Sequence, residues 1–204
     1  KALSFDRVGQ NIAVDMVAVE NASGDKDKFV QAVSAACGLD MAMMLMSKDT
    51  DTLAAALGCA ADRNPLLYRA DGSNWEQMGK LACQSGCPLA VDASDLDQAA
   101  DLTQKLVGAG VADLVLDVTT GDFGKTLQAL TEVRRLALRK NFRPLGYPSM
   151  AIAAGSDDLA LAEASSYMAK YANVVVIDAY EPWQVLPLLT VRQNIFTDPR
   201  KPVA

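Results

Sequence analysis

Short apolar runs alternate with helix-like stretches along the whole chain. Seven such runs recur at intervals of roughly 22 to 36 residues, a spacing that leaves room for one helix between neighbouring strands. They cover residues 14–21, 40–47, 65–70, 87–94, 113–118, 149–155 and 173–179. Regular alternation of this kind predicts right-handed βαβ units and a parallel sheet covered on both faces.

The stretches between the runs have the periodicity and the starting residues of helices. They cover residues 25–36, 50–57, 74–83, 95–107, 123–140, 157–171 and 181–192. The count of strands is important because a closed β/α barrel takes eight strands, and this chain shows seven. The pattern alone therefore leaves an open sheet and an incomplete barrel as alternatives.

Composition predicts one globular domain. The chain has 204 residues, of which 50% are hydrophobic and 22% charged. It contains no run of 18 apolar residues and no signal-like start, so we expect no membrane span, and four cysteines suggest reduced thiols in a cytoplasmic protein. The net charge of −6 argues against a nucleic-acid partner, which would require a basic surface.

The chain contains no histidine. This excludes Ser-His-Asp and Cys-His catalysis by the chain alone, and the usual general base near neutral pH. Any chemistry that this chain performs by itself would depend on carboxylates, lysine, tyrosine or cysteine.

Candidate site residues follow the predicted strands, where the sites of β/α barrels gather. We single out Asn21, Asp92, Asp117 and Asp178 as a possible small-molecule surface. One amide and several carboxylates around one mouth would suit the N–H edge of a pterin-like ring. The alternative is that these residues cap helices and hold loops, as Asp and Asn commonly do.

Several longer stretches carry a resemblance to a known family. They are residues 5–21 (FDRVGQNIAVDMVAVEN), 61–70 (ADRNPLLYRA), 126–138 (TLQALTEVRRLAL), 138–151 (LRKNFRPLGYPSMA) and 186–203 (LPLLTVRQNIFTDPRKPV). These stretches occur in the same order and spacing as in the corrinoid iron–sulfur protein large subunit, and the chain resembles the central part of that subunit. That subunit is called gamma in the acetyl-CoA decarbonylase/synthase complex.

The resemblance implies a methyl carrier of the reductive acetyl-CoA pathway. A cobamide takes a methyl group from methyl-tetrahydrofolate or a related tetrahydropterin, delivered by a methyltransferase, and passes it to acetyl-CoA synthase. The family's large subunit has an N-terminal module for a [4Fe–4S] cluster, a central barrel and a C-terminal corrinoid-binding domain. It pairs with a small subunit to form a heterodimer.

The resemblance also sets expectations for this segment. It implies a parallel (β/α)8 barrel of the TIM type over residues 1–196, with the first strand missing before residue 1, and a linker at 197–204 toward a corrinoid-binding domain. Cluster and corrinoid ligands belong to parts outside this sequence, so no catalytic, cofactor or metal residue is carried over. The expected role is to scaffold the flanking domains and to dock the small subunit.

Two enzyme hypotheses remain beside this one. The first is a free-standing pterin-dependent methyltransferase that would use the strand-end carboxylates. The second is an aldolase-like barrel, which would require a Schiff-base lysine, with Lys48 as the candidate.

Overall fold

Seven parallel strands form the centre of the molecule. The structure is a computed structural model, and it describes residues 3–196. The sheet order is β3-β4-β5-β6-β7-β8-β9, so each strand pairs with its neighbour in the sequence. The strands are β3 (Met16–Glu20), β4 (Ala42–Met46), β5 (Leu66–Ala70), β6 (Leu89–Asp92), β7 (Leu114–Asp117), β8 (Ser149–Ala153) and β9 (Val174–Ile177).

A helix follows each of these strands and covers the outside of the sheet. The helices are α1 (Lys26–Ala36), α2 (Thr50–Ala60), α3 (Trp75–Ser85), α4 (Leu96–Gly108), α5 (Phe123–Arg139), α6 (Asp158–Ala169) and α7 (Pro182–Phe196). Five of them begin after an aspartate whose side chain accepts hydrogen bonds from first-turn N–H groups: Asp25, Asp49, Asp95, Asp122 and Asp157. Such caps satisfy donors that the helix itself leaves unpaired.

The sheet buries side chains on both of its faces. The larger core lies between strands and helices and includes Leu53, Leu67 and Leu89. A second core fills the inside of the curved sheet, where Met44 and Met150 are fully buried and Met46 packs at the edge. Met44 and Met46 both belong to this inner core because alternate residues of a strand share one face.

An antiparallel hairpin precedes the barrel strands. Its strands are β1 (Ser4–Arg7) and β2 (Gln10–Ala13), and its two-residue turn has positive φ at both Val8 (51°) and Gly9 (72°). Positive φ at both positions is the geometry of a type I′ turn, which matches the twist of a hairpin.

The hairpin is fixed to the last helix. Ile12 packs with Val185 and Leu189 of α7 in a small separate core. The Gln193 amide donates to the Arg7 carbonyl at 3.2 Å and to the Gln10 side chain at 2.9 Å. This contact holds the end of α7 against the chain that leads into the first barrel strand.

Arg192 extends the same contact toward the barrel. Its guanidinium donates to the Ala13 carbonyl at 2.9 Å and forms an ion pair with Asp15, the residue before β3. The C-terminal end of α7 therefore lies beside the N-terminal end of β3.

The prediction of a parallel TIM-type barrel with seven visible strands is confirmed. All seven predicted strands and helices are present, with boundaries shifted by a few residues. The hairpin was not predicted. The place of the eighth strand stays a prediction, since the described residues hold seven, and the expected linker at 197–204 lies outside those residues.

Within residues 3–196, no helix combines the length and the apolar character that crossing a membrane requires.

Replacing Gln193 with Ala tests how strongly the hairpin depends on α7. Gln193 is 8% exposed, and its loss would remove the hydrogen bonds that its buried side chain donates to Arg7 and Gln10 of the hairpin. We expect the free energy of unfolding, measured with urea, to fall by about 1–3 kcal/mol. Gln104→Ala is the matched control, because Gln104 is exposed and bonds only within α4, to Ala100. An equal effect of both substitutions would contradict this account.

Candidate functional site

The candidate site lies at the carboxyl ends of the barrel strands. Asn21 directly follows β3, and Asp92 and Asp117 are the last residues of β6 and β7. The Asn21 N–H donates to the Met46 carbonyl at 2.9 Å, which ties the end of β3 to the end of β4. Because parallel strands end at the same edge, these side chains surround one mouth.

Asp117 forms the most buried part of this mouth. The carboxylate is 5% exposed, and it accepts a hydrogen bond from the Tyr68 hydroxyl at 2.7 Å and from the Thr119 N–H at 2.9 Å. Burial raises the pKa of Tyr68, and the negative charge of Asp117 raises it further. Tyr68 therefore stays protonated and acts as a hydrogen-bond donor at neutral pH.

Arg69 neutralises the neighbouring carboxylate. Its guanidinium forms an ion pair with Asp92 and approaches the Tyr68 hydroxyl at 3.4 Å. Burial raises the pKa of Asp92, and the charges of Asp117 and Asp71 add to this effect, whereas Arg69 opposes it. The mouth thus contains one guanidinium beside several carboxylates, so hydrogen-bond acceptors are in excess there.

An irregularity in β5 brings two consecutive side chains to this site. The pairing of β5 with β6 shifts register between Leu67 and Ala70, and Tyr68 and Arg69 lie within that shift. In a regular strand, neighbouring side chains point to opposite faces. Neither residue was among the sequence candidates, and strand alternation would have separated them.

Asn74 supports the end of the same strand. Its side-chain oxygen accepts from the Asp71 N–H at 2.8 Å, and its amide donates to the Arg69 carbonyl at 3.2 Å. The residue precedes α3 but does not cap it with its side chain, contrary to the usual role of Asn there. The amide instead fixes the backbone that carries Arg69.

Asn21 is chemically the most informative of the predicted residues. Its side-chain oxygen is buried and accepts no hydrogen bond. A buried acceptor without a partner costs about 1–3 kcal/mol, which a ligand with an N–H group would recover. Together with the acidic excess around Arg69, this favours ligands that donate hydrogen bonds.

The other two candidates lie apart from this arrangement. Asp178 is exposed and lines a cleft beside β9. Lys48 is exposed in the loop after β4. A Schiff-base lysine is usually activated by a desolvated pocket, which Lys48 does not have, so the aldolase-like hypothesis loses its support.

The cysteines do not form a cluster site in the described part of the chain. Cys87 is buried, whereas Cys59 and Cys83 are exposed. Among residues 3–196, no three His, Cys, Asp or Glu side chains are grouped so that they could hold a metal ion. An iron–sulfur cluster requires Cys thiolates brought together, and the cysteines of this segment do not fit one.

Seven parallel strands, each followed by a helix, place the chain in the class of β/α barrels. Solved structures with a similar fold are known. Dihydropteroate synthase from Thermus thermophilus superposes with a TM-score of 0.67 at 17% identity, over 90% of this chain and 84% of that one. A likeness at this identity concerns the fold alone.

The family follows from the sequence comparison. The model of the CO dehydrogenase/acetyl-CoA synthase delta subunit matches residues 1–204, and the chain belongs to this family. It is 40% identical to the corrinoid/iron-sulfur protein large subunit of Moorella thermoacetica over 98% of this chain and 46% of the relative. It is 33% identical to the acetyl-CoA decarbonylase/synthase complex subunit gamma of Methanothermobacter thermautotrophicus, over 99% of this chain and 47% of the relative. The chain thus spans about half the length of these relatives, and the resemblance drawn from the sequence is confirmed.

Replacing Arg69 with Met tests the electrostatics of the mouth. Because Arg69 lowers the pKa of Asp92, its removal is expected to raise that pKa further, as measured by carboxyl carbon NMR titration. The folded protein holds this proton more tightly than the unfolded chain, so the contribution of Asp92 to stability falls as the pH rises through its pKa. The variant is expected to lose stability more steeply over that range.

Lys105→Met is the control for this titration. Lys105 pairs with Asp101 at 2.7 Å on the outside of α4, so its removal should leave the titration of Asp92 unchanged. An unchanged or lowered Asp92 pKa in the Arg69 variant would contradict the assigned role of Arg69.

Proposed function

We propose that this chain is the barrel segment of a corrinoid/iron–sulfur methyl carrier, and that it scaffolds the flanking domains and binds the small subunit. Its relatives are large or gamma subunits of about twice this length. The cobamide and the [4Fe–4S] cluster would be held by other parts of such a subunit. The whole protein would carry a methyl group from methyl-tetrahydrofolate or a related pterin, delivered by a methyltransferase, to acetyl-CoA synthase.

The outward side of α7 is the observation that carries the docking role. Trp183 is 61% exposed and Leu186 is 37% exposed, and a spacing of three residues places them on one side of the helix. Tyr180, just before the helix, is 75% exposed. Large exposed apolar side chains mark interaction surfaces, and Trp and Tyr are enriched among the residues that dominate binding energy.

Replacing Trp183 with Ala in the full-length large subunit tests this surface. We expect the Kd for the small subunit to rise by about 30-fold or more, which corresponds to about 2 kcal/mol of lost binding energy. The measurement is a titration of the purified large subunit with the purified small subunit.

Leu138→Ala is the matched control for the docking variant. Leu138 is also 61% exposed but belongs to α5, on another side of the barrel. Its replacement should leave the Kd unchanged, and both variants should keep the wild-type circular dichroism spectrum. A Kd unaffected by Trp183→Ala would contradict docking through α7.

A pterin-dependent methyltransferase is the second candidate function, and Asn21 is the observation that favours it. The unpaired oxygen of Asn21 and the acidic excess near Asp92 and Asp117 suit the donor-rich edge of a pterin. Isothermal titration with methyl-tetrahydrofolate and with a tetrahydromethanopterin analogue tests this hypothesis. Binding that Asn21→Ala weakens at least about tenfold, or about 1.4 kcal/mol, would support it.

The two functions predict different results for the mouth residues. If the segment is a scaffold, single Ala substitutions at Asn21, Asp92, Asp117 and Asp178 leave the methyl-transfer rate of the full subunit unchanged. If the mouth binds the methyl donor, the variants at Asn21 and Asp92 slow that step, because they remove acceptors from the ligand's edge.

A further inference from the structure

Two cysteines from neighbouring helices meet on the outside of the barrel. Cys37 directly follows α1, and Cys59 lies in the last turn of α2. The Cys37 thiol donates to the Cys59 carbonyl at 3.3 Å, and the Cys59 thiol donates to the Ala56 carbonyl at 3.1 Å. Both thiols therefore lie at the same end of α2, although the two cysteines are 22 positions apart in the sequence.

Small side chains flank both cysteines. Ala36, next to Cys37, and Ala60, next to Cys59, are buried in the main core, and Cys37 packs against that core. The distance between two packed helices depends on the size of the side chains at their contact, and α1 and α2 pack directly against each other. Regular helix packing, and not a loop, thus brings the two cysteines together.

Arg63 fixes the ends of these two helices relative to each other. It belongs to the short 3₁₀ turn Ala61–Arg63 that follows α2. Its guanidinium donates to the carbonyls of Leu39 and Met41, at 2.6 and 2.9 Å, in the connection between α1 and β4. A planar guanidinium that bonds two carbonyls restricts their position. The thiol pair is therefore held in a rigid frame.

The pair is accessible from solvent and protonated when reduced. Cys59 is exposed, and Cys37 is partly buried. Partial burial raises the pKa of the Cys59 thiol, and the neighbouring Cys37 thiol raises it further. Two adjacent thiolates would repel each other, whereas a disulfide in the same place carries no charge.

We propose that Cys37 and Cys59 form a redox-active dithiol, which a small-molecule disulfide such as glutathione disulfide oxidises to a cross-link between α1 and α2. The Cys59 thiolate attacks one sulfur of the small disulfide, forms a mixed disulfide and releases the first small thiolate. The Cys37 thiolate then attacks the Cys59 sulfur, forms the bond between the two cysteines and releases the second. Two electrons pass from the protein to the small disulfide, whose two thiolates take up the protons that the cysteines lose.

This site lies on the side of the barrel opposite the mouth. Both helices end where the chain returns to the amino ends of β4 and β5, whereas the mouth is formed by the carboxyl ends of the strands. Oxidation would join the helices that follow the first two barrel strands without occupying the mouth. The inference does not depend on which function the mouth has.

Peptide mapping of the full-length subunit after exposure to glutathione disulfide tests the pair. Trypsin separates the two cysteines into peptides that cover residues 29–48 and 49–63. After alkylation of the remaining thiols, mass spectrometry should detect these peptides joined by a disulfide, and dithiothreitol should release them. The joined peptides should exceed the glutathione adduct of Cys59 by at least about tenfold, because a second thiol held nearby reacts at a high effective concentration.

Cys37→Ser removes the second thiol and serves as the test variant. The glutathione adduct of Cys59 should then persist and increase by at least about tenfold. Cys83 is the internal reference, because it is also exposed but its thiol donates to the Ala109 carbonyl, at 3.5 Å, rather than to a cysteine. Its glutathione adduct should be equal in the wild type and the variant. Cys83→Ser is the matched control and should leave the joined peptides unchanged.

Three results would overturn the inference. An adduct of Cys59 that is equally abundant with and without Cys37 would show that the two thiols do not react with each other. A Cys59 thiol that stays unmodified while Cys83 reacts would show that the pair is closed to small disulfides. A disulfide from Cys59 to any other cysteine, or to a second copy of the subunit, would assign it a different partner.

Discussion

Burial of both faces of a parallel sheet is the constraint on which the structure depends. Leu67, Leu89 and Leu116 pack outward against the helices, while Met44 and Met150 fill the inside of the curved sheet. An unpaired charge in either core would destabilise the fold, because the burial of a charge without a partner costs free energy. Ionisable groups are therefore displaced to the strand ends, and this is why the candidate site lies at the mouth.

The inner core also determines the chemistry of that mouth. The Tyr68 ring packs against the inner apolar cluster, and its hydroxyl extends from there to Asp117. Burial in this place raises the pKa values of both Tyr68 and Asp92, so protonation at the mouth depends on packing as well as on neighbouring charges. Arg69 is the group that keeps Asp92 from being an isolated buried acid, since the two form an ion pair. The mouth therefore presents carboxylates and the amide oxygen of Asn21 as hydrogen-bond acceptors beside the Arg69 guanidinium.

The repeating pattern was sufficient to predict seven strand–helix units and a parallel sheet, whereas the family resemblance was needed to predict a barrel. A helix start follows each apolar run. Because this strand–helix unit repeats along the chain, the elements can be identified even where their exact boundaries are uncertain. The hairpin was missed because its turn places Val8, a β-branched residue, at positive φ, which no turn rule would favour. The pairing of Tyr68 and Arg69 at one site was missed because it depends on a register shift in β5, which strand alternation does not predict.

Of the four strand-end residues that the sequence singled out, Asn21, Asp92 and Asp117 lie at the mouth, with Asp117 paired to Tyr68 and Asp92 to Arg69. Asp178 lies instead beside the open cleft. Position in the strand was thus enough to find the mouth. The partners of Asp92 and Asp117 are brought to these carboxylates by tertiary packing, which the sequence pattern does not reveal.

The stretches that carry the family resemblance include two that are far apart in the chain and adjacent in the structure. Arg7 and Asp15 come from the first, and Arg192 and Asn194 from the last. Arg192 pairs with Asp15, and the Arg7 guanidinium donates to Asn194 at 3.2 Å. These contacts hold the end of the last helix beside the start of the first barrel strand. The first of the two stretches also ends in Asn21, whose side chain lies at the mouth, and residues 61–70 carry Tyr68 and Arg69. The stretches that carry the resemblance therefore contribute both to the contact between the two ends of the barrel and to the mouth.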